Sequence, residues 1–152
     1  MPRELAIKIR LNHVSTCLTI ATSNLELLVN NFKIPGMEGI LNTTQSLLKL
    51  AETITQNRNT CNELMEQAHI LLNAITGAYI NSDTGIEQAP NVLNHIAKFA
   101  QTLHKIHTFV EAQQHINKVK RLFRRGEMSA LLKKCKAELQ QELEFFQVIT
   151  LG

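Results

Sequence analysis

The residues of this chain that could do chemistry are six histidines, three cysteines and a dense run of lysines and arginines near the C-terminal end. His104 and His107 are three positions apart, so on a helix their imidazoles would share one face. Imidazole is a common metal ligand, but a stable site needs a third or fourth ligand, and Glu111 is the one acid with suitable spacing. The spacing therefore favours polar histidines on a helix flank over a metal centre, and we expect no cofactor.

The cysteines, Cys17, Cys61 and Cys135, are odd in number and widely spaced. Their places on apolar stripes predict reduced core thiols, as in cytosolic proteins, rather than disulfides. Cys135 is the open case, because its lysine neighbours would depress its pKa if the thiol were exposed. The glycines form neither a phosphate-binding loop nor a dinucleotide fingerprint, so we predict that the chain is not an enzyme.

The basic segment, residues 118–136 (KVKRLFRRGEMSALLKKCK), is the strongest signal in the sequence. It holds eight of the sixteen lysines and arginines and a single acid, Glu127, whereas the whole chain has a net charge of only +3. Such a concentration favours docking on an anionic partner, although solvated charge that merely keeps the protein soluble is the plainer alternative. The predicted anion- and lipid-binding residues are Lys118, Lys120, Arg121, Arg124, Arg125, Lys133 and Lys134.

Four helices are predicted to position these residues, because apolar side chains recur every three or four positions and glycine and proline are scarce. The predicted helices span residues 3–32, 38–80, 90–123 and 127–150. Pro35-Gly36, the polar stretch 81–90 and Gly126 separate them, and Pro90 suits the first turn of the third helix. The second helix would be unusually long, about 60 Å. Its polar patch 56–60 could introduce a kink, but the apolar register continues through the patch and favours one helix.

The fold class predicted from this pattern is all-α, with one domain over residues 1–152. Short links at 33–38 and 124–126 favour antiparallel neighbours, so the predicted architecture is an up-down-up-down four-helix bundle with a long second helix. We expect neither a secretory signal nor a membrane-spanning helix, because no long apolar run occurs in the sequence. The expected location is the cytoplasm, with recruitment to membranes.

Two segments carry a family resemblance. Residues 103–148 (LHKIHTFVEAQQHINKVKRLFRRGEMSALLKKCKAELQQELEFFQV) resemble the third and fourth helices of the N-terminal four-helix bundles of mixed-lineage-kinase-domain-like cell-death proteins, especially the fungal versions. Residues 50–75 (LAETITQNRNTCNELMEQAHILLNAI) look like the long second helix of that family. The resemblance covers roughly residues 35–150 and rests on a hydrophobic and charge rhythm, so no residue role is transferred from the family.

This resemblance implies a module of regulated cell death or innate immunity that oligomerises and associates with anionic lipid, or that serves as an adaptor within a larger receptor. The first predicted helix lacks a long apolar tip, which favours an interaction role over direct pore formation. The primary functional hypothesis is docking of the basic segment on an anionic phospholipid membrane surface.

The alternative hypothesis is a module that binds a second copy of itself or another helical signalling domain, and that relays a signal from a neighbouring kinase, nucleotide-binding or repeat domain. Nucleic-acid binding is a third and weaker hypothesis, because Phe123 is the only aromatic residue within the basic segment and no known nucleic-acid-binding motif accompanies it.

Overall fold

Six α-helices make up the computed structural model of the chain, which describes residues 3–80, 90–123 and 126–151. No strand occurs in these ranges, so the all-α prediction is confirmed. The predicted polar turn lies at 81–89, outside the described residues, but a helix does begin at Pro90 as expected. The helices are α1 (Arg3–Asn31), α2 (Met37–Leu50), α3 (Arg58–Ile80), α4 (Pro90–Ala112), α5 (Ile116–Leu122) and α6 (Glu127–Leu151).

Contacts between the helices enclose one hydrophobic core. The helix α3 packs against α1, α6 and α4, while α2 packs against α1 and α4, and α4 also packs against α6. The apolar stripes predicted within residues 40–79 and 92–110 are buried. They consist of Ile40, Leu47, Ala51, Ile54, Cys61, Met65, Ala68, Leu72, Ile75, Tyr79, Val92, Ile96, Phe99, Leu103, Ile106 and Val110.

The predicted apolar stripe of the first helix is largely confirmed, whereas that of the last helix is confirmed only in part. Val14, Leu18, Ala21, Leu25 and Leu28 are buried on α1, and Phe32 after it is half-buried. The side chains of Ile7 and Leu11 lie outside the described part of the chain. On α6 the buried positions are Cys135, Leu139, Glu142 and Phe146. The other predicted core residues of this helix are only half-buried: Met128, Leu132, Leu143 and Ile149.

The long second helix is the main error of the sequence prediction, because residues 51–57 form a loop between α2 and α3. Asn57 has a left-handed backbone with φ of 50°, a conformation that asparagine tolerates better than most residues. Its carbonyl accepts the backbone N–H of Cys61 at 3.0 Å, which starts the next helix. Ala51 and Ile54 remain buried within the loop. The apolar register was therefore a correct guide to burial but a misleading guide to helix continuity.

The predicted third helix is also broken, because α4 ends at Ala112 and α5 begins at Ile116. The helix α5 is seven residues long and buries none of them. Phe123, directly after it, packs its ring edge-on against Phe109 of α4, with ring centroids 5.9 Å apart. This aromatic contact holds the end of α5 against α4.

The two breaks are hydrogen-bonded to each other through Gln113. The backbone N–H groups of Thr55 and Gln56 donate to the Gln113 carbonyl at 3.0 and 2.9 Å. Asn57 Nδ2 donates to Gln113 Oε1 at 2.7 Å, and Gln113 Nε2 donates to the carbonyl of Phe109 at 3.1 Å. Gln113 is fully buried. Each interruption thus satisfies polar groups that the other leaves without a helical partner.

Two glycines begin helices with left-handed backbones. Gly36 precedes α2 with φ of 86°, and Gly126 precedes α6 with φ of 89°. The sequence analysis placed Gly126 between the third and fourth predicted helices, where a glycine with positive φ commonly ends a helix. The positive φ is present, but its carbonyl accepts the N–H of Ala130 at 3.2 Å. Gly126 therefore starts α6, while α5 has already ended at Leu122.

Replacing Gln113 with leucine should destabilise the protein by about 1–3 kcal/mol, because Asn57 Nδ2 and the Phe109 carbonyl would lose their partner in a buried setting. Urea unfolding monitored by circular dichroism measures this change. The matched control is Gln114→Leu, because Gln114 Nε2 donates to Thr53 Oγ1 at 2.7 Å at an exposed position that water can reach. That variant should lose less than about 1 kcal/mol. Equal losses in the two variants would contradict the role assigned to Gln113.

Candidate anion-binding site

The predicted basic residues fall on two helices. Lys118, Lys120 and Arg121 lie on α5, and Lys133 and Lys134 lie on α6. Arg124 and Arg125 lie outside the described residues. Lys118 is half-buried and the other four are exposed. We call these five residues the cationic face.

The cationic face, like the exposed Lys33, Lys49 and Lys98, has no carboxylate within ion-pair distance among the described residues. Lys136, within the same basic segment, pairs with Glu63 of α3 at 2.8 Å. Lys105 of α4 pairs with Glu138 at 3.1 Å. No ion pair of this kind forms at Lys120, Arg121 or Lys133 in the described part of the chain. Their charges are therefore directed at solvent or at a partner.

The charge order of α6 agrees with the helix macrodipole at its first turn. A lysine in the first turn of a helix opposes the macrodipole, whose effect falls off within that turn. The helix begins at Glu127, an acid in the favourable position, and Lys133 is its seventh residue. The lysines of α6 therefore carry little dipole penalty.

An open cleft of about 380 Å³ lies between the last turns of α4 and the helix α5. Both Lys118 and Arg121 line it, whereas Lys120 does not. The α4 wall includes His104, His107 and Glu111. The structure thus brings together two of the predicted basic residues and the histidine pair. The sequence analysis had considered these two features separately. No signal in the sequence linked them, because the reversal at residues 113–115 was not predicted.

The histidines of this cleft are already engaged in part. His107 Nε2 lies 2.7 Å from Ser46 Oγ of α2, and His107 Nδ1 lies 4.0 Å from Glu111 Oε2. His104 is exposed. Across the described residues, no group of three histidine, cysteine, aspartate or glutamate side chains is arranged to hold a metal ion. The cleft is thus lined by four nitrogen-bearing side chains, one hydroxyl, one carboxylate and the apolar side chains of Ala112 and Leu122.

The cysteines are free thiols in this structure, and two of them are buried. Burial raises the pKa of Cys61 to about 12. The pKa of Cys135 is also raised, chiefly by burial and further by the charge of Glu138, against the opposing charges of Lys105 and Lys134. Raised pKa values disfavour the thiolate that a nucleophile needs. Cys17 departs from the prediction of a core thiol, because it is half-exposed with its Sγ 3.6 Å from His13 Nε2.

A polar seam between α4 and α6 was missed by the sequence reasoning. Glu142 is buried and hydrogen-bonds His95 Nδ1, and the His95 ring stacks on Phe145 with centroids 3.6 Å apart. One turn earlier on α6, Glu138 accepts hydrogen bonds from Thr102 Oγ1 at 2.5 Å and Lys105 Nζ at 3.1 Å. The i, i+4 spacing of the two glutamates showed that they share a helix face. Their partners on α4 could not be read from the sequence.

Comparisons with known proteins add no relative, because no protein-family model, curated protein or solved structure matches this chain. The family resemblance described above therefore stays a prediction. None of the helices in the described residues is long and apolar enough to cross a membrane.

The polar seam predicts a specific dependence of stability on pH. Burial alone would raise the pKa of Glu138, but hydrogen bonds from Thr102 and Lys105, with the charges of Lys105 and Lys134, hold that pKa below its ordinary value of 4.5. Because the pKa of Glu138 is lower in the folded than in the unfolded chain, its ionised carboxylate stabilises the fold at pH values above the unfolded-state pKa. This stabilisation is lost as the pH falls through the folded-state pKa. The free energy of unfolding should therefore fall more steeply below about pH 4.5 in the native protein than in Glu138→Gln.

Chemical denaturation at a series of pH values measures this difference. The control is Glu144→Gln, which removes an exposed carboxylate from the same helix. We expect the control to follow the native curve. A Glu138→Gln curve parallel to the native one at all pH values would show that the seam contributes no proton-linked stability.

Proposed function

We propose that this chain is a non-catalytic helical-bundle module that docks on the anionic surface of a membrane through the cationic face. The observation that carries this proposal is the concentration of these five residues on α5 and the early turns of α6, with no carboxylate within ion-pair distance of them among the described residues. Arg124 and Arg125 belong to the proposed docking surface by their place in the sequence.

The surface of α5 supports a membrane as the partner. Ile116 and Leu122 are about half exposed, at 50% and 52%, on the same short helix as Lys120 and Arg121. A surface that combines exposed apolar side chains with cations suits the interface between lipid headgroups and acyl chains. Each basic residue near an anionic bilayer contributes on the order of 1 kcal/mol to binding, so five such residues give useful, salt-sensitive affinity.

The wider setting of this proposal follows from the resemblance described in the sequence analysis. We propose that the helices form the up-down-up-down bundle predicted from the short links, with two of the four rods interrupted. We also propose that the module acts in regulated cell death or innate immunity, where recruitment to a membrane transmits a signal. The proposed location is cytoplasmic, with recruitment to membranes.

The triple variant Lys120→Gln/Arg121→Gln/Lys133→Gln should bind anionic vesicles on the order of 100-fold more weakly than the native protein, because three cations are removed from the docking surface. Flotation on phosphatidylcholine vesicles with and without phosphatidylserine measures this change. The matched control is Lys33→Gln/Lys49→Gln/Lys98→Gln, which removes the same charge from exposed positions elsewhere.

The control variant should retain most of the binding, and raised salt should weaken binding of the native protein. If the two triple variants lost vesicle binding equally, the net charge of the protein would explain the binding, and the cationic face would have no special role. Binding of the native protein to pure phosphatidylcholine at the same strength would refute anionic docking.

A second candidate function is self-association through the outer face of α1. Ile20 and Leu27 are 53% and 56% exposed and lie seven residues apart on one side of the helix. Between His13 and Asn31 the only Asp, Glu, Lys or Arg is Glu26. Depletion of charge around exposed apolar side chains is typical of the centre of a protein interface. This face favours a second copy of the chain or another helical domain as partner.

Light scattering over a range of protein concentrations tests this second candidate. The native protein should increase in mass with concentration, and Ile20→Lys/Leu27→Lys should remain a monomer because two charges would be buried at the interface. The control is Val148→Lys on α6, where the side chain is 69% exposed. A native protein that stays strictly monomeric, with and without vesicles, would exclude self-association through α1.

A further inference from the structure

The cleft between α4 and α5 is lined by polar and charged side chains from both helices. His104, His107 and Thr108 line the α4 side, while Lys118 and Arg121 line the α5 side. The walls are formed because the chain reverses at residues 113–115 and α5 packs back on α4. An ammonium and a guanidinium supply full positive charge, and imidazole and hydroxyl groups supply further donors. This combination is suited to a compact anion with several acceptor oxygens.

A phosphomonoester fits these requirements better than a phosphodiester. A monoester phosphate carries about 1.5 to 2 negative charges near neutral pH and presents three terminal oxygens. It is attached to the rest of its molecule on one side only, so it can enter a cleft while the attached group stays outside. A diester phosphate has one charge and two free oxygens, and substituents on both sides limit its entry. The planar fork of Arg121 can bind two oxygens of one phosphate at once.

We infer that this cleft binds the phosphomonoester headgroup of a membrane lipid. The inference rests on the proposed membrane docking, since the cleft shares Lys118 and Arg121 with the cationic face. The two parts of α5 then have different roles. Lys120, which does not line the cleft, contributes general attraction to any anionic surface, whereas Lys118 and Arg121 select the kind of phosphate.

Glu111 is the one acid that lines the cleft. Removing its charge should change phosphate binding in a direction that tests the inference. Its carboxylate is 52% exposed and lies 4.0 Å from His107 Nδ1. A negative charge at this position repels a bound phosphate, so Glu111→Gln should strengthen phosphomonoester binding. A site for a cation would respond in the opposite direction. Since Glu111 is exposed, the substitution should leave the fold intact.

The test compares vesicles that contain phosphatidic acid, a monoester, with vesicles that contain phosphatidylglycerol, a diester, at matched surface charge. The native protein should prefer phosphatidic acid by about tenfold, because charge-assisted hydrogen bonds are added to the general attraction. Arg121→Lys keeps the charge but removes the fork, so the ratio of binding to phosphatidic acid over phosphatidylglycerol should fall towards one. Lys120→Arg is the control and should keep the preference. Glu111→Gln should increase it.

The outcomes separate this inference from the proposed function. Equal binding to the two kinds of vesicle, or a preference unchanged in Arg121→Lys, would overturn the headgroup site and leave anionic docking in place. Binding to neither kind would overturn both. Glycerol 3-phosphate, a soluble phosphomonoester, distinguishes a site for lipid headgroups from a site for free phosphate esters. If glycerol 3-phosphate competes only weakly with phosphatidic acid vesicles for the protein, the ligand is a lipid headgroup. If the protein binds glycerol 3-phosphate saturably but does not bind phosphatidic acid vesicles, the lipid assignment is overturned.

Discussion

The hydrogen bonds around Gln113 are the constraint on which the rest of the structure depends. Thr55, Gln56 and Asn57 all donate to this one buried residue, so the loop between α2 and α3 is tied to the residue that follows α4. The helix α3 packs against α1 and α6, and α5 packs against α4. The cleft lies between α4 and α5, on either side of the break that contains Gln113.

The charges of the chain divide into two groups with different physical roles. Carboxylates of α6 and α3 compensate Lys105 and Lys136, so these lysines hold helices together. The lysines and arginine of the cationic face have no such partner among the described residues, and their interactions are left to solvent or to a ligand. Exposed charges add little to the stability of a fold. Their concentration on α5 and early α6 therefore contributes little to the stability of the fold itself.

The apolar periodicity was a reliable guide to burial and to fold class. The stripe from Ile40 to Tyr79 is buried on both sides of a break that the sequence prediction did not make. Periodicity reports which side chains face the core, and a loop can keep that facing if its own apolar residue, here Ile54, turns inward. The polar patch at 56–60 contained the relevant signal, because asparagine and threonine compete for backbone hydrogen bonds at helix ends. The continuous register outweighed it in the prediction.

The sequence by itself determined the helical class, the composition of the core and the strong positive charge of residues 118–136, because these depend on residue type and local spacing. Tertiary structure alone decided where the helices break, which lysines find carboxylates, and that the histidine pair and two of the basic residues line one cleft. Each of these depends on contacts between residues far apart in the chain, such as Thr55 with Gln113, and local pattern carries no information about such partners. The physical reason is that a backbone group leaves its helix when a distant partner satisfies its hydrogen bond equally well.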